Sequence, residues 1–359
     1  MPSTASANQT PQSTPSRRAV PLRRRILLSA ITVLLFFGSI ELLLRLSGFR
    51  ANLNVERMAF TFPIDDYNKS APQPFLVRDD TLFWRPRAGV MDHNSHGFYG
   101  PEFNVEKQPG VFRIVCLGDS CTHFGPDSYP DMLRVYLDEM APGQFEVINA
   151  GVIGYTSFQG RRLLESEVLN WSPDLVTVYF GWNDHWLARG RQDKNQNAET
   201  SAVVDALREL RVVQLTAFAL GGVTSDDRNV MRVEPDDYRQ NLARICQECE
   251  SRDVAVWYFT APHAFDLGIP PYLTQSGEVA DAGSLVPLHQ SYNQIVREVA
   301  NACGAPLVDL ASEMDGMNKQ QLFIDDHIHL SQGGKLYVTK RIIQMLESTG
   351  TLADDPNIQ

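Results

Sequence analysis

The sequence contains a serine, a histidine and an aspartate whose surroundings suit nucleophilic acyl transfer. Ser120 lies in a Gly-Asp-Ser sequence directly after the apolar run 111–117, and Asp326 and His329 lie three residues apart. In a tight loop the carboxylate can hold the imidazole in one tautomer, and a histidine held in this way can act as general base toward a serine hydroxyl. Taken alone, the serine also fits a strand-end turn with a capping serine. The second segment also fits a solvated acidic loop, or a metal site that includes His327.

Two further segments carry N–H groups that could stabilise a developing negative charge. Gly154 lies in a segment that follows the apolar run 145–148, and it could bring its backbone N–H close to a substrate. Asn183 follows the run 174–180, and its side-chain amide could aim at an oxyanion. Each of them, taken alone, also fits an ordinary turn between a strand and a helix.

The elements that must position these residues alternate between strands and helices. Short runs rich in β-branched and aromatic residues predict strands buried on both faces; they are 111–117, 145–148, 174–180, 254–260 and 306–308. Apolar residues at helical spacing predict helices between and after these strands; they cover 130–140, 157–171, 235–252, 288–303 and 333–347. Such alternation predicts a parallel sheet with helices on both faces. The four segments then lie at the carboxyl edge of the sheet or in the loop before the last helix, where such sheets bind ligands.

In this order and spacing, the four segments resemble the four blocks of the SGNH hydrolases, the GDSL-type lipase and esterase superfamily. The resemblance covers about residues 111–347. It implies a flavodoxin-like three-layer α/β/α sandwich with a parallel sheet of about five strands, in agreement with the pattern above. It also implies the site residues, which are Ser120 as nucleophile, His329 as base, Asp326 as its orienting group, and Gly154 and Asn183 with the Ser120 amide as oxyanion hole.

The chain departs from the family pattern at one position, and at another the family's glycine could be either of two residues. Cys121 stands where the GDSL name expects leucine, a position at which many relatives vary. Gly151 is an alternative for the glycine role. We favour Gly154, because the residues that follow it fit the block better.

The N-terminus is basic and apolar, whereas the rest of the chain is acidic. Seven arginines and Glu41 give residues 1–50 a net charge of +6, so the remainder carries −17 of the total of −11. We predict a disordered basic cytoplasmic tail over 1–25 and an uncleaved transmembrane anchor over 26–46, which places the body outside the cytoplasmic membrane, in the periplasm or at the cell surface. The alternative for this segment is a cleaved signal peptide.

The anchor precedes a predicted stalk and irregular segment over 51–110 and a hydrolase domain over 111–349, which an insertion at about 185–234 interrupts. The apolar residues of the insertion could line an acyl pocket, but we favour a small core of its own; they are Trp186, Leu187, Leu215, Phe218 and Leu220. His185 could border the substrate, and we predict instead that it lies on the surface.

The five cysteines are odd in number and irregularly spaced, which argues against a disulfide framework. Cys246 and Cys249 lie in a Cys-x-x-Cys sequence that could bind zinc or perform redox chemistry. Both fall on the apolar face of a predicted helix, so we favour core packing.

These observations predict a serine esterase that forms an acyl-serine intermediate and needs no cofactor and no metal. The substrate would be a small-molecule, glycan or lipid ester, and the membrane would be bound through the N-terminal helix. The acidic body argues against nucleic acid as a partner. Three alternatives remain at this stage: an O-acyltransferase acting on a glycan hydroxyl, a non-catalytic envelope binding protein, and a metal-dependent phosphoesterase using Asp119, Asp326 and His329.

Overall fold

The computed structural model describes residues 21–49, 67–69, 71–123, 125, 127–188, 192–196, 207, 210–219, 230–275 and 277–352. It divides the chain into two units, one of residues 1–53 and 201–223 and one of residues 54–200 and 224–359. Most of the predicted tail, residues 51–66 and 70 of the predicted stalk, and Leu220 lie outside the described residues, as does the side chain of Phe218.

The described residues form seven strands, in chain order β1 (Leu76–Asp79), β2 (Phe83–Pro86), β3 (Phe112–Gly118), β4 (Phe145–Gly151), β5 (Leu175–Tyr179), β6 (Ala255–Phe259) and β7 (Leu307–Val308). The helices are α1 (Leu22–Leu46), α2 (Ser120–His123), α3 (Tyr129–Met140), α4 (Ser157–Ser166), α5 (Arg211–Ala219), α6 (Pro235–Glu250), α7 (Tyr272–Gln275), α8 (Ala282–Cys303), α9 (Leu310–Glu313), α10 (Lys319–Leu322) and α11 (Gln332–Ser348).

The first unit contains helices α1 and α5. With 25 residues, α1 is about 37 Å long, enough to cross a bilayer core of about 30 Å. Within the described residues it is the one helix long and apolar enough to do so, a property that a signal sequence would share. The single acidic residue of α1, Glu41, accepts a hydrogen bond from the N–H of Val212 at the start of α5 (2.9 Å) and pairs with Arg45.

The second unit is built on a parallel sheet of five strands in the order β4-β3-β5-β6-β7. This is the flavodoxin-like order, in which the chain steps from the first strand to one side and then crosses to the other. Strand β3 therefore lies between β4 and β5. The carboxyl ends of these three strands therefore meet at the switch point, where such sheets bind ligands.

Helices cover both faces of this sheet and give three layers. Residues of α4, α6 and α8 share one buried cluster with one face, for example Leu163, Tyr238 and Val296. Residues of α3 and α11 share the second cluster with the other face, for example Leu137 and Ile342. The predicted α/β/α sandwich and its five parallel strands are thus confirmed.

Residues 71–110 differ from the predicted stalk. Strands β1 and β2 form an antiparallel hairpin, with Leu76 opposite Pro86 and Asp79 opposite Phe83. Aromatic and aliphatic residues of this segment belong to the same buried cluster as the sheet, among them Trp84 and Phe98. The sequence did not predict this hairpin, because its apolar residues are spaced irregularly, with neither a helical nor a strand period.

One cysteine pair also differs from the sequence prediction. Cys246 of α6 and Cys303 at the end of α8 form a disulfide, with their Cα atoms 6.5 Å apart. The separation of 57 residues gives no local signal for this pairing. Cys249 is a free thiol buried in the core, in agreement with the core packing predicted from the sequence.

The two ends of the insertion belong to the second unit and run side by side. The N–H of Ala188 donates to the carbonyl of Val230, and the N–H of Arg232 donates to that of Trp186 (both 2.8 Å). Trp186 packs in the second cluster, beside Trp182, rather than in a separate small core. The centre of the insertion, which includes Leu215 on α5, belongs to the first unit.

Candidate active site

Three of the four candidate loops leave neighbouring strands at the same edge of the sheet. Gly118 at the end of β3 pairs with Gly151 of β4 on one side and with Tyr179 of β5 on the other. The N–H of Val152 donates to the carbonyl of Gly118 (3.0 Å), so the second loop starts beside the first. The structure therefore brings the Ser120, Gly154 and Asn183 segments to one edge, as parallel pairing requires.

Ser120 begins the single-turn helix α2 directly after β3. The carbonyl of Asp119 accepts hydrogen bonds from the N–H groups of Thr122 (3.1 Å) and His123 (2.9 Å), which closes the turn. The side chain of Asp119 accepts from the N–H of Cys121 (2.8 Å). A short strand-to-helix turn of this kind places the Ser120 hydroxyl at the edge of the sheet.

The loop between α10 and α11 brings His329 to this serine. A bridge between Phe323 and Leu330 closes the loop, and Ser331 caps α11 by accepting from the N–H of Gly334. The Nε2 atom of His329 lies 2.8 Å from Ser120 Oγ, across 209 positions of sequence. The serine hydroxyl and the imidazole are therefore in direct hydrogen-bond contact.

Asp326 holds the other side of the same imidazole. Its Oδ2 atom lies 2.6 Å from His329 Nδ1, and its Oδ1 atom accepts from the N–H groups of Ile328 (2.9 Å) and His329 (2.8 Å). Burial alone would raise the pKa of Asp326, but the hydrogen bond and charge of His329 and these two N–H groups outweigh it and lower the pKa. Asp326 is therefore ionised, with His329 Nδ1 as donor and Nε2 as acceptor toward the serine.

The backbone N–H groups of Ser120 and Gly154 are the candidates for binding an oxyanion. Within the described part of the chain, no hydrogen-bond acceptor lies on the N–H of Ser120 or of Gly154. Gly154 has φ +79°, a conformation that glycine adopts without strain. The N–H of Gly151, by contrast, donates to the Asn149 side chain (2.9 Å), so Gly151 does not offer a free donor.

The third candidate donor, Asn183, is buried between two acceptors. Its Nδ2 donates to the carbonyl of Tyr155 (3.1 Å) and, over a longer distance, to Asp119 Oδ2 (3.3 Å). Burial raises the pKa of Asp119 to about 6, although its hydrogen bonds oppose the shift. Both hydrogens of the Asn183 amide therefore have acceptors in this structure, and the longer bond, to Asp119, is the weaker one.

The residues of the metal alternative do not form a cluster. Across the described ranges, no group of three or more histidine, cysteine or acidic residues could hold a metal ion. The ring of His327 contacts the carbonyl of Gly268, whereas His329 is held between Asp326 and Ser120.

His185 differs from the predicted surface histidine, because it is buried beside His289. His185 Nε2 donates to His289 Nδ1 (2.9 Å), and His289 Nε2 donates to the carbonyl of Ala261 (2.7 Å). Burial lowers the pKa of His185 to about 3, so the pair is neutral at physiological pH.

Three buried residues that hold the Gly154 loop were not predicted from the sequence. Trp84 donates from its indole nitrogen to the carbonyl of Ile153 (3.1 Å). Arg232 donates to the carbonyl of Gly154 (2.7 Å) and pairs with Asp193 (3.0 Å). All three lie far from the loop in sequence, so no local motif marks them.

The fold and the four converging loops define the class of a serine ester hydrolase. Residues 116–267 match the model of the GDSL-like Lipase/Acylhydrolase family. The match includes the Ser120, Gly154 and Asn183 loops and ends before the fourth.

Solved structures of the same kind resemble the chain at low identity. A lipase/acylhydrolase from Enterococcus faecalis is 20% identical over 67% of this chain and 97% of its own, with a TM-score of 0.46. The acetyl xylan esterase AlAXEase is 17% identical over 66% of this chain and 100% of its own, with a TM-score of 0.44. An acetylxylan esterase from Geobacillus stearothermophilus, in a catalytic-mutant form, is 16% identical over 66% of this chain and 94% of its own, with a TM-score of 0.42. No curated protein matches the sequence.

Proposed function

We propose that this protein hydrolyses a carboxylic ester through a covalent acyl-Ser120 intermediate. The observation that carries the proposal is the continuous chain of hydrogen bonds from Ser120 Oγ through His329 to Asp326, of 2.8 Å and 2.6 Å. A nucleophile in contact with a base that a third group orients is the arrangement that activates a serine hydroxyl.

In the first step, Ser120 Oγ forms a bond to the ester carbonyl carbon while its proton moves to His329 Nε2. The carbonyl oxygen becomes an oxyanion, which the N–H groups of Ser120 and Gly154 and the Asn183 amide stabilise. The bond to the alcohol oxygen then breaks, and the alcohol leaves with the proton from His329. Asp326 stabilises the imidazolium while it exists.

In the second step, water attacks the acyl carbon while His329 takes its proton. The bond to Ser120 Oγ breaks, the serine regains a proton from His329, and a carboxylic acid leaves. A sugar hydroxyl in place of the water would give an O-acyltransferase by the same chemistry. The two activities therefore share the first step and differ in the group that enters the site second.

We further propose that the enzyme works outside the cytoplasmic membrane, anchored by α1. The arginines at 23–25 precede the apolar part of this helix, which favours a cytoplasmic start. The disulfide between Cys246 and Cys303 supports the same compartment, because such bonds persist in oxidising surroundings. A substrate in the envelope, such as an acylated glycan or a lipid, fits that location.

The acyl-serine proposal is tested with a fluorophosphonate probe and with Ser120→Ala. We expect the wild-type protein to form one adduct on the peptide containing Ser120. Ser120→Ala should form none and should lose p-nitrophenyl acetate hydrolysis. Ser166→Ala, at an exposed serine on α4, is the matched control and should behave as wild type. Full activity of purified Ser120→Ala would refute the proposal.

A panel of p-nitrophenyl esters of increasing chain length separates the substrate classes. Preference for acetate favours a glycan ester, whereas preference for long chains favours a lipid. Adding a soluble oligosaccharide to the acetate reaction then separates hydrolysis from transfer, because transfer yields an acetylated sugar at the expense of free acetate. Membrane anchoring is tested by treating intact spheroplasts with protease, which should degrade the domain only if it lies outside.

A further inference from the structure

Trp84 connects the N-terminal hairpin to the loop that carries Gly154. It lies on β2, is fully buried, and its indole N–H donates to the carbonyl of Ile153 (3.1 Å). In return, the hydroxyl of Tyr155 donates to the backbone carbonyl of Trp84 (2.6 Å). The two rings meet edge to face with centroids 5.6 Å apart. The hairpin and the loop are therefore bound to each other twice.

The bond to Ile153 controls the direction of the Gly154 N–H. The carbonyl of Ile153 and the N–H of Gly154 belong to one planar peptide unit, which is trans. In such a unit the C=O and the N–H point in opposite directions. Holding the Ile153 oxygen on the Trp84 indole therefore fixes the direction of the Gly154 N–H on the far side of the same plane.

The next two carbonyls of the loop are held by other segments. The Gly154 carbonyl accepts from Arg232, which is buried in an ion pair with Asp193. The Tyr155 carbonyl accepts from Asn183. Three successive carbonyls thus bind donors from β2, from the end of the insertion and from the loop after β5, which restrains the rotation of each peptide unit between them.

We propose that Trp84 is a positioning residue for ester hydrolysis, which aims the Gly154 N–H at the oxyanion before substrate binds. This inference rests on the function proposed above. Trp84 acts through the Ile153–Gly154 peptide and does not touch the substrate. Donors that are already oriented stabilise the transition state without a reorganisation cost, which is the main source of their catalytic effect.

The size of the effect follows from what the indole N–H controls. Deleting an oxyanion donor outright lowers turnover by about 100- to 1,000-fold. Removing the Trp84 N–H leaves the Gly154 donor present but less well aimed, so we expect a loss of about tenfold. Because the interaction strengthens mainly in the transition state, kcat should fall while KM changes by less than about twofold.

The experiment compares Trp84→Phe with Trp171→Phe. Both tryptophans are buried in the same cluster, but the Trp171 ring packs against Phe98 and Phe103. We measure kcat and KM for p-nitrophenyl acetate, the rate of fluorophosphonate addition to Ser120, and Tm. Trp84→Phe should lower kcat and the addition rate about tenfold relative to Trp171→Phe, whatever the two changes do to Tm. Equal kcat values in the two variants would overturn the inference.

A second variant keeps the test decisive if Trp84→Phe does not fold. Tyr155→Phe retains both rings and removes only the bond from the loop to the Trp84 carbonyl. It should also lower kcat with little change in KM, and a wild-type kcat would overturn the inference. Ser120→Ala, measured alongside, separates the two levels: an active Ser120→Ala protein overturns the proposed function itself. An inactive one, with Trp84→Phe equal to its control, overturns only the role of Trp84.

Discussion

Asp326→Asn should nearly abolish turnover while leaving the fold intact, because it forces the wrong tautomer on His329. Three N–H donors face the wild-type carboxylate, namely the ring Nδ1 and the N–H groups of Ile328 and His329. Asparagine offers one oxygen and one amide nitrogen to the same three donors. In either orientation its nitrogen faces at least one donor, so the wild-type set of three contacts cannot be kept.

The orientation of that asparagine follows from the number of bonds at stake. If the oxygen replaces Oδ1, both backbone N–H groups keep their acceptor and the amide nitrogen faces His329 Nδ1. The opposite orientation leaves two backbone donors unpaired, at about 1–3 kcal/mol each. In the favoured orientation Nδ1 must accept, so Nε2 carries the proton and cannot take one from Ser120. The loss of the negative charge also destabilises the imidazolium. A wrong tautomer in such a triad lowers kcat by about 10⁴-fold, and we expect a loss of this order.

The assay is the steady-state hydrolysis of p-nitrophenyl acetate, with Tm measured on the same samples. Asp325→Asn is the matched control, since it makes the same change of charge at the neighbouring, exposed carboxylate. It should retain wild-type kcat. An Asp326→Asn protein with more than about a tenth of wild-type kcat, or an equal loss in Asp325→Asn, would refute the reasoning about the tautomer.

Three further changes test other parts of the structure. In Gly151→Ala, the added Cβ would lie 2.5 Å from the backbone nitrogen of His123, so the turn that carries Ser120 must shift. We expect the free energy of unfolding in urea to fall by about 1–3 kcal/mol, and kcat to fall as well. Unchanged stability would contradict the close approach. Burial raises the pKa of Asp184 to about 7, so the folded state favours its protonated form and loses stability as pH rises from about 4 to about 7. Asp184→Asn should therefore gain roughly 4 kcal/mol relative to wild type over that interval, and a constant difference between the two proteins would disprove the assignment. Cys303→Ser opens a loop of 57 residues and should lower the free energy of unfolding by about 4 kcal/mol under oxidising conditions, a difference that should vanish when both proteins are reduced.

The large sheet was predictable because its strands are buried on both faces. The run 174–180 reads as nearly continuous apolar and β-branched residues, and the structure places β5 at Leu175–Tyr179 within it. Helix α8 was predicted to begin at 288 but begins at Ala282, with Asp281 as its cap and Pro287 inside its early turns. A proline suggests a helix boundary, and here the cap and the packing of Leu285 carry the helix past it.

The contacts that hold the site were less accessible to sequence reasoning. Three of the four loops lie directly after neighbouring strands, so topology alone places these three together. The bond from Trp84 to Ile153 spans 69 positions and that from Arg232 to Gly154 spans 78. Contacts of this range depend on how the hairpin and the insertion pack against the sheet, and neither has a periodic pattern that predicts the packing. The roles assigned to Ser120, His329, Asp326, Gly154 and Asn183 stay predictions until the variants are measured.

The hairpin of β1 and β2 also bears on where the catalytic module begins. A chain cut at residue 111 would retain all four loops and every strand of the parallel sheet, and by sequence similarity it would look complete. It would nevertheless lose the indole that holds Ile153, and it would leave the side chains of Tyr155 and Phe158 without the aromatic partners that the hairpin supplies. We therefore expect the smallest active piece of this protein to extend beyond residues 116–267, which match the family model, and to start within the stretch of sequence that follows the N-terminal helix.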